Sequence, residues 1–343
     1  TAPVAKGGEG SLFLQVNRNK RGITLDPMTD GGREVVRDLV ASADVVVANL
    51  PPQTLTAMGL DYATLREAKP DIVLTTVSAF GHGGPWSHRV GFDGVAQAMS
   101  GAMYLTGHPD EPMRLAYPWV DCTTAILSAC GTMAALMERR STGRGQQVEG
   151  SLLMSALTVG NAPLIEQAVI APNRVASRNR GQTAAPSDCF RTKDGWVLVV
   201  TIGQPLFERW ARLMGESHWL EDARFEDDIS RGDHGEIISE RMARWCADRT
   251  TEECLAALDT ARIPAAPVLS PQEALDHEHV RAMRLLLPVD YPGLPRPAPI
   301  ADTPIRLSDV GKAVDGIENA KIKSWLNGER SIVLAVYRQP GAN

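Results

Sequence analysis

The chain has 343 residues, 43% of them hydrophobic and 22% charged, which suits a soluble globular protein large enough for two domains. A formal net charge of −6 and a pI near 5.7 exclude nucleic acid as the main partner. Five scattered cysteines, without a Cys-x-x-Cys or Cys/His cluster, exclude a zinc site (metal ligands: none) and point to a reducing, cytoplasmic setting.

Thr1 and a loop-like stretch rich in Gly, Ala and Pro open the chain, as though a preceding segment were missing. Leu12 to Val16 and Ile23 to Asp26 flank a basic turn and predict strand, loop, strand. Val35, Val36, Leu39 and Val40 predict a helix. Ala43 to Leu50 is a continuous apolar run, the profile of a parallel strand buried on both faces. A helical stretch through Leu55, Met58, Leu65 and Ala68 precedes a second such run, Asp71 to Ser78. Alternation of this kind predicts an α/β fold with a Rossmann-like, doubly wound parallel sheet. Ligands of such sheets bind beyond the carboxyl ends of the strands, here Asn49-Leu50-Pro51-Pro52 and Ala79 to Pro85. The glycines of the second loop lack dinucleotide or Walker spacing.

Gly91-Phe92-Asp93 begins another helix. Asp121 then opens a long one, whose Ile126, Ala129, Cys130, Met133, Leu136 and Met137 fall on a single face and predict a largely buried helix. Arg139, Arg140 and Gly143 mark its end. Asp121 is therefore either the N-cap of this helix or a carboxylate nucleophile kept ionised by the helix end, beside unpaired backbone N–H groups. Nothing near about 18 continuous apolar residues is evident, so no membrane partner is expected. Residues 1–170 form the expected large domain and 171–187 a linker without periodicity. A small α/β domain is expected over 188–280, a proline-dense return connector over 281–302, and an atypical C-terminal segment over 303–343.

The ordered motifs resemble those of family III CoA-transferases, the group containing formyl-CoA transferase and carnitine CoA-transferase. The resemblance rests on Val16-Asn17-Arg18-Asn19-Lys20-Arg21, the Ala43 to Val47 strand with Asn49, Met58-Gly59-Leu60 and Pro70-Asp71-Ile72-Val73. It continues through Gly81-His82-Gly83-Gly84-Pro85, Gly91-Phe92-Asp93, Gln97, Asp121, Arg139 and Thr142-Gly143-Arg144-Gly145-Gln146. It implies an acyl-CoA:carboxylate CoA-transferase working through an anhydride and then a CoA thioester on Asp121. Coenzyme A would be a substrate, with no tightly bound cofactor, and the fold an interlocked homodimer. By the same resemblance, Val16, Asn17, Arg18, Asn19, Lys20 and Arg21 line the CoA nucleotide, and Asn49, Leu50 and Pro51 add further CoA contacts. Gly91, Phe92 and Asp93 would flank the pantetheine and acyl site, although Phe92 suits a core and Asp93 a helix cap equally well. Gly181 and Gln182 match the position of a glycine loop over the substrate, with one glycine where formyl-CoA transferase has several.

Two other functions compete. A 2-methylacyl-CoA racemase would share the fold, but its resemblance-based signature needs a histidine where Phe92 stands, and phenylalanine carries no proton. A truncated, non-catalytic CoA-binding chain is the other. Residues from about 303 onward resemble a periplasmic segment of a resistance-nodulation-division efflux pump.

Overall fold

The computed structural model describes residues 10–302 and three short strands, Ser324–Leu326, Glu329–Ser331 and Val333–Ala335. The expected N-terminal loop over residues 1–9 lies outside the described residues, as does most of the pump-like segment. The chain divides into two compact units, one of residues 1–24 and 180–320, the other of 25–179 and 321–343.

The first unit begins with α1 (Ser11–Val16), a helix where the sequence suggests a strand. Leu12 and Phe13 are exposed and Leu14 is buried, so the run offers one anchor rather than an alternating sheet face. The Leu14 carbonyl accepts a hydrogen bond from Tyr291 Oη at 2.9 Å. Residues 17–21 then turn through Asn19, at φ 61°, and the expected strand over 23–26 does not form.

The second unit carries α2 (Asp30–Ser42), β1 (Val45–Ala48), α3 (Pro52–Met58), α4 (Tyr62–Ala68) and β2 (Val73–Ser78). One helix had been expected where α3 and α4 stand. Gly59, at φ 70°, ends α3, and Asp61 caps α4 by accepting the Thr64 N–H. After α5 (Asp93–Met99) and a small hairpin of β3 (Gly107–His108) and β4 (Glu111–Pro112), the long α6 (Trp119–Thr142) leads to β5 (Gln147–Ser151). Helices α7 (Leu152–Val159) and α8 (Asn161–Ile170) follow.

Strands β1, β2 and β5 are parallel, with Val45 opposite Val73 and Leu74 opposite Gln147. The Val333–Ala335 strand pairs in parallel with the outer edge of β1. One sheet face, through Val46 and Leu74, packs under Val36 and Val40 of α2, Leu55 and Met58 of α3 and Leu65 of α4. The other face, through Val45 and Val73, packs against Ala135 of α6. Burial on both faces is why β1 and β2 read as continuous apolar runs.

The expectation of a buried apolar face on α6 is corrected. Ile126, Met133 and Met137 are exposed, while Val120, Thr124, Ser128 and Ala135 are buried. This stripe of mostly small side chains recurs at steps of about four and lets the helix lie close on the sheet. A Cβ at Gly131 would come within 2.9 Å of Val148, and one at Gly150 within 2.4 Å of the Ser128 hydroxyl. Thr132 and Thr75 hydroxyls bond across the interface at 2.6 Å. By length and composition alone α6 could cross a membrane, with a mean hydropathy of 1.4 over 18 residues, although Ala, Gly, Ser and Thr space out its strongly apolar side chains. Its observed place is against a parallel sheet.

Gly143, at φ 68°, stops α6 as its sequence suggests. Arg139 fastens this end. Its Nη2 meets Asp44 Oδ1 at 2.8 Å, and its Nη1 donates to the carbonyls of Asp44 and Asp71 at 3.3 Å each. One guanidinium thus ties α6 to the residues that lead into β1 and β2.

Back in the first unit, β6 (Ser187–Arg191), β7 (Trp196–Val200) and β8 (Ala265–Pro267) form an antiparallel sheet. Helices α9 (Gln204–Met214), α10 (Asp228–Asp233), α11 (Gly235–Ala247) and α12 (Thr251–Thr260) accompany it, around a core centred on Phe207, Trp210, Ile238, Met242 and Leu258. Ser270 caps α13 (Pro271–Asp276) in a capping box. After α14 (Glu278–Ala282), where the sequence suggests only a connector, β9 (Leu286–Val289) and β10 (Ala298–Ala301) pair as an antiparallel hairpin.

Arg139→Met keeps the bulk of the side chain and removes its bonds. It is expected to lower stability by about 1.5–3 kcal/mol, the range for hydrogen bonds to charged groups, in urea unfolding monitored by circular dichroism. An unchanged midpoint would show that the clamp carries no load.

Candidate active site

Helix α6 runs from Arg139, beside the residues preceding β1 and β2, back to Trp119 and Val120. These pack with Val77 and Ala79 at the carboxyl end of β2 and with Leu152 and Ala156 of α7. Asp121 therefore stands at the carboxyl edge of the parallel sheet, where open α/β sheets bind ligands. The same edge carries Asn49, Leu50 and Pro51 after β1 and the glycine loop after β2. Asn49 and Pro51 are exposed, and Leu50 is half-buried against the core.

Asp121 is not the N-cap of its helix. Pro118 holds that position without a side-chain cap bond, and Asp121 is the third helical residue. The cap comes from another helix. Asp93, the first residue of α5, is buried, and its Oδ2 accepts the N–H of Val120 at 2.8 Å and of Asp121 at 3.2 Å. Its Oδ1 accepts a short bond from Gln97 Nε2, and Gln97 Oε1 accepts the Leu115 N–H at 3.0 Å. Trp119 N–H donates to Tyr117 O at 2.8 Å, and Cys122 N–H to Pro118 O at 3.1 Å. All four first-turn amides of α6 are thus satisfied, which corrects the expectation of unpaired N–H groups beside Asp121.

The Asp121 carboxylate is left open to solvent with no capping duty. Its pKa lies above the ordinary aspartate value, first because neighbouring protein partly desolvates it and second because the Asp93 carboxylate is close. The expected stabilisation of the ionised form by the helix end is therefore outweighed. A carboxylate of raised pKa is more basic once ionised, which favours attack on an acyl carbon.

Phe92 is highly exposed beside this pair, and Gly91 is pressed against Ala79 and Phe80, where a Cβ would lie 2.9 Å from Ala79 Cβ. Across Gly94, the Nη1 of Arg114 stands 3.8 Å from where a Cβ would be. The structure thus gathers Gly91, Phe92, Asp93 and Asp121 in one unit. Val16, Asn17, Arg18, Asn19, Lys20 and Arg21 belong to the other, in a turn where Lys20 Nζ donates to Asn17 Oδ1 at 3.1 Å. Gly181 and Gln182 are also in that unit. Gly181 N–H donates to Ser187 O at 2.6 Å, and a Cβ on Gly232 would strike the Gln182 carbonyl at 2.3 Å, so this loop is wedged into place. Among the described residues, no group of three or more His, Cys, Asp or Glu side chains could hold a metal ion.

The capping of α6 from α5 escaped the sequence because donors and acceptor are 27 and 28 residues apart. The only signal was Gln97, four residues after Asp93, a spacing that lets the two side chains meet on a helix.

The sequence model of CoA-transferase family III matches residues 1–315. Succinyl-CoA:mesaconate CoA-transferase of Haloarcula hispanica is 33% identical over 305 residues, which are 88% of this chain and 76% of the relative. Succinyl-CoA–D-citramalate CoA-transferase of Chloroflexus aurantiacus is 30% identical, over 81% of this chain and 69% of its own. Among solved structures, a CAIB/BAIF family protein of Brucella suis superposes with a TM-score of 0.72 at 29% identity, covering 89% of this chain and 79% of that one. A Mycobacterium tuberculosis protein reaches a TM-score of 0.75 at 25% identity, over 90% and 84%. These matches give no support to a pump-like segment at the C-terminus.

Asp93→Asn keeps a capping oxygen while removing the charge that raises the pKa of Asp121. A reaction needing ionised Asp121 loses rate as pH falls through that pKa, so the acid limb of kcat/KM should lie above the ordinary aspartate value of about 3.9 and move to lower pH in the variant. An unmoved limb would remove Asp93 from the electrostatics of the site. Asp93→Ala, losing the cap as well, is expected to cost about 0.5–2 kcal/mol in thermal or urea unfolding.

These matches establish that the chain belongs to CoA-transferase family III and is a CoA-transferase, an enzyme class that uses CoA thioesters as substrates.

Proposed function

We propose that the enzyme moves CoA between a dicarboxylic acyl-CoA of the succinyl-CoA type and a small dicarboxylate, with Asp121 as the covalent relay. The observation that carries this reading is the uncommitted Asp121 carboxylate, freed because Asp93 satisfies the helix amides in its place. The activities named for the relatives, from succinyl-CoA to mesaconate or D-citramalate, supply the substrate class.

An Asp121 oxygen attacks the thioester carbon, the C–S bond breaks, and CoA thiolate leaves a mixed anhydride. The thiolate then attacks the Asp121 carbonyl, releasing the donor acid and forming an aspartyl-CoA thioester. The incoming carboxylate attacks that thioester, expelling thiolate and forming a second anhydride. Attack of the thiolate on the acceptor acyl carbon gives the new acyl-CoA and restores Asp121. No proton is consumed. The protein's tasks are to orient the carboxylate and exclude water from two hydrolysable intermediates.

We assign CoA contacts to residues 16–21, Asn49, Leu50, Pro51, Gly91 and Phe92, and substrate contacts to Gly181 and Gln182; Asp93, expected to flank the same site, has both carboxylate oxygens taken by Gln97 and the α6 amides. The guanidinium groups of Arg18 and Arg21 suit the nucleotide phosphates. The exposed Ile126, Met133 and Met137 of α6 support a homodimer, and five free thiols suit a reducing cytoplasm.

Incubation with succinyl-CoA followed by hydroxylamine should leave a hydroxamate on Asp121 alone, found by peptide mass spectrometry. Asp121→Ala should give no adduct and at least a 1,000-fold loss of kcat. An intact enzyme that transfers CoA without labelling Asp121 would overturn the mechanism. Sedimentation of the same preparation should show a dimer; a fully active monomer would dismiss the α6 face as an interface.

A further inference from the structure

A dicarboxylate substrate, the class put forward above, brings a second carboxylate that takes no part in the chemistry. Near Asp121 that group would meet two negative charges, Asp121 itself and the buried Asp93, unless a cation receives it. The arginines of this unit are mostly committed elsewhere. Arg139 is tied to Asp44 and Asp71, at the far end of α6. Arg174 pairs with Glu166, and Arg178 donates to His108 Nδ1 at 3.1 Å. Arg89 sits over the Trp86 ring, its Cζ 3.9 Å from the centroid.

Arg114 differs from all of these. It is exposed, and its Nη1 reaches over Gly94, the residue following the Asp93 that caps the Asp121 helix. Its backbone is held on both sides. Met113 N–H donates to Thr106 O at 3.1 Å, and Leu115 N–H to Gln97 Oε1 at 3.0 Å, the same Gln97 that bonds Asp93. A Cβ on Gly94 would stand in ordinary van der Waals contact with this guanidinium, which places Arg114 directly over the start of α5. A fixed backbone and an open planar fork of donors, over the residue that follows Asp93, make a receptor for a carboxylate.

We propose that Arg114 binds the distal carboxylate of the dicarboxylic donor and acceptor, and so selects dicarboxylates over monocarboxylates. This rests on the CoA-transferase reading of Asp121 for its kinetics but not for its binding. Arg114 is a specificity residue with no role in bond making. Its removal should weaken the attachment of every dicarboxylic substrate and leave monocarboxylic ones alone.

The test compares wild type with Arg114→Ala, Arg114→Lys and, as a control, Arg89→Ala. Two measurements are made on each: kcat/KM for succinate and propionate as acceptors from one acyl-CoA, and the affinity of free succinate by calorimetry. For Arg114→Ala, kcat/KM with succinate is expected to fall at least tenfold, mostly through KM, with propionate changed less than twofold. Succinate affinity should fall by a similar factor, Arg114→Lys should recover part of both, and Arg89→Ala should match wild type. Equal losses with both acceptors, or unchanged succinate affinity in Arg114→Ala, would overturn the proposal. Arg114-dependent succinate binding in a wild type that transfers no CoA would instead sink the catalytic reading and leave this one standing.

Discussion

The carboxylate of Asp93 holding the first amides of α6 is the contact on which this half of the molecule depends. A helix of 24 residues presents unpaired donors at its start, and a cap supplied in sequence would have used the nearest acid, Asp121. Because the cap arrives from α5 instead, Asp93 is spent on structure and Asp121 is left without a capping role. Desolvation by the surrounding protein raises the pKa of Asp121, and the neighbouring Asp93 carboxylate raises it further. Asp93 therefore contributes both to the stability of the helix and to the basicity of Asp121.

The opposite end of α6 is secured by different means. Arg139 joins the helix to the entrances of two parallel strands, so its axis is defined at both ends, by an acid at the amino terminus and a base at the carboxyl terminus. This arrangement agrees with the helix dipole. Between the two clamps the helix meets the sheet through small side chains, and the close approach leaves its larger apolar residues facing outward. In this way the sheet fixes where Asp121 stands along its carboxyl edge.

Much of this was legible in the sequence. Strands buried on both faces have an unbroken apolar profile, so β1 and β2 were recognisable, and basic residues followed by Gly143 marked the end of α6. The face by which α6 packs was misread because periodicity finds the most apolar stripe, whereas close helix-to-sheet packing selects Ser128, Gly131, Thr132 and Ala135. Strands were wrongly expected around Leu14 because a short run with one buried residue satisfies either period. The role of Asp93 was hidden for another reason: a cap across 27 residues leaves no local pattern.

The chain begins in one unit, leaves it after residue 24 and rejoins it at residue 180. The hydroxyl of Tyr291 then closes onto the Leu14 carbonyl, bridging 277 positions of sequence. During synthesis helix α1 must wait for Tyr291, 277 residues beyond Leu14, before its partner exists. A fragment cut at residue 180 would part Leu14 from Tyr291, so the first unit is completed only by sequence from both sides of the second.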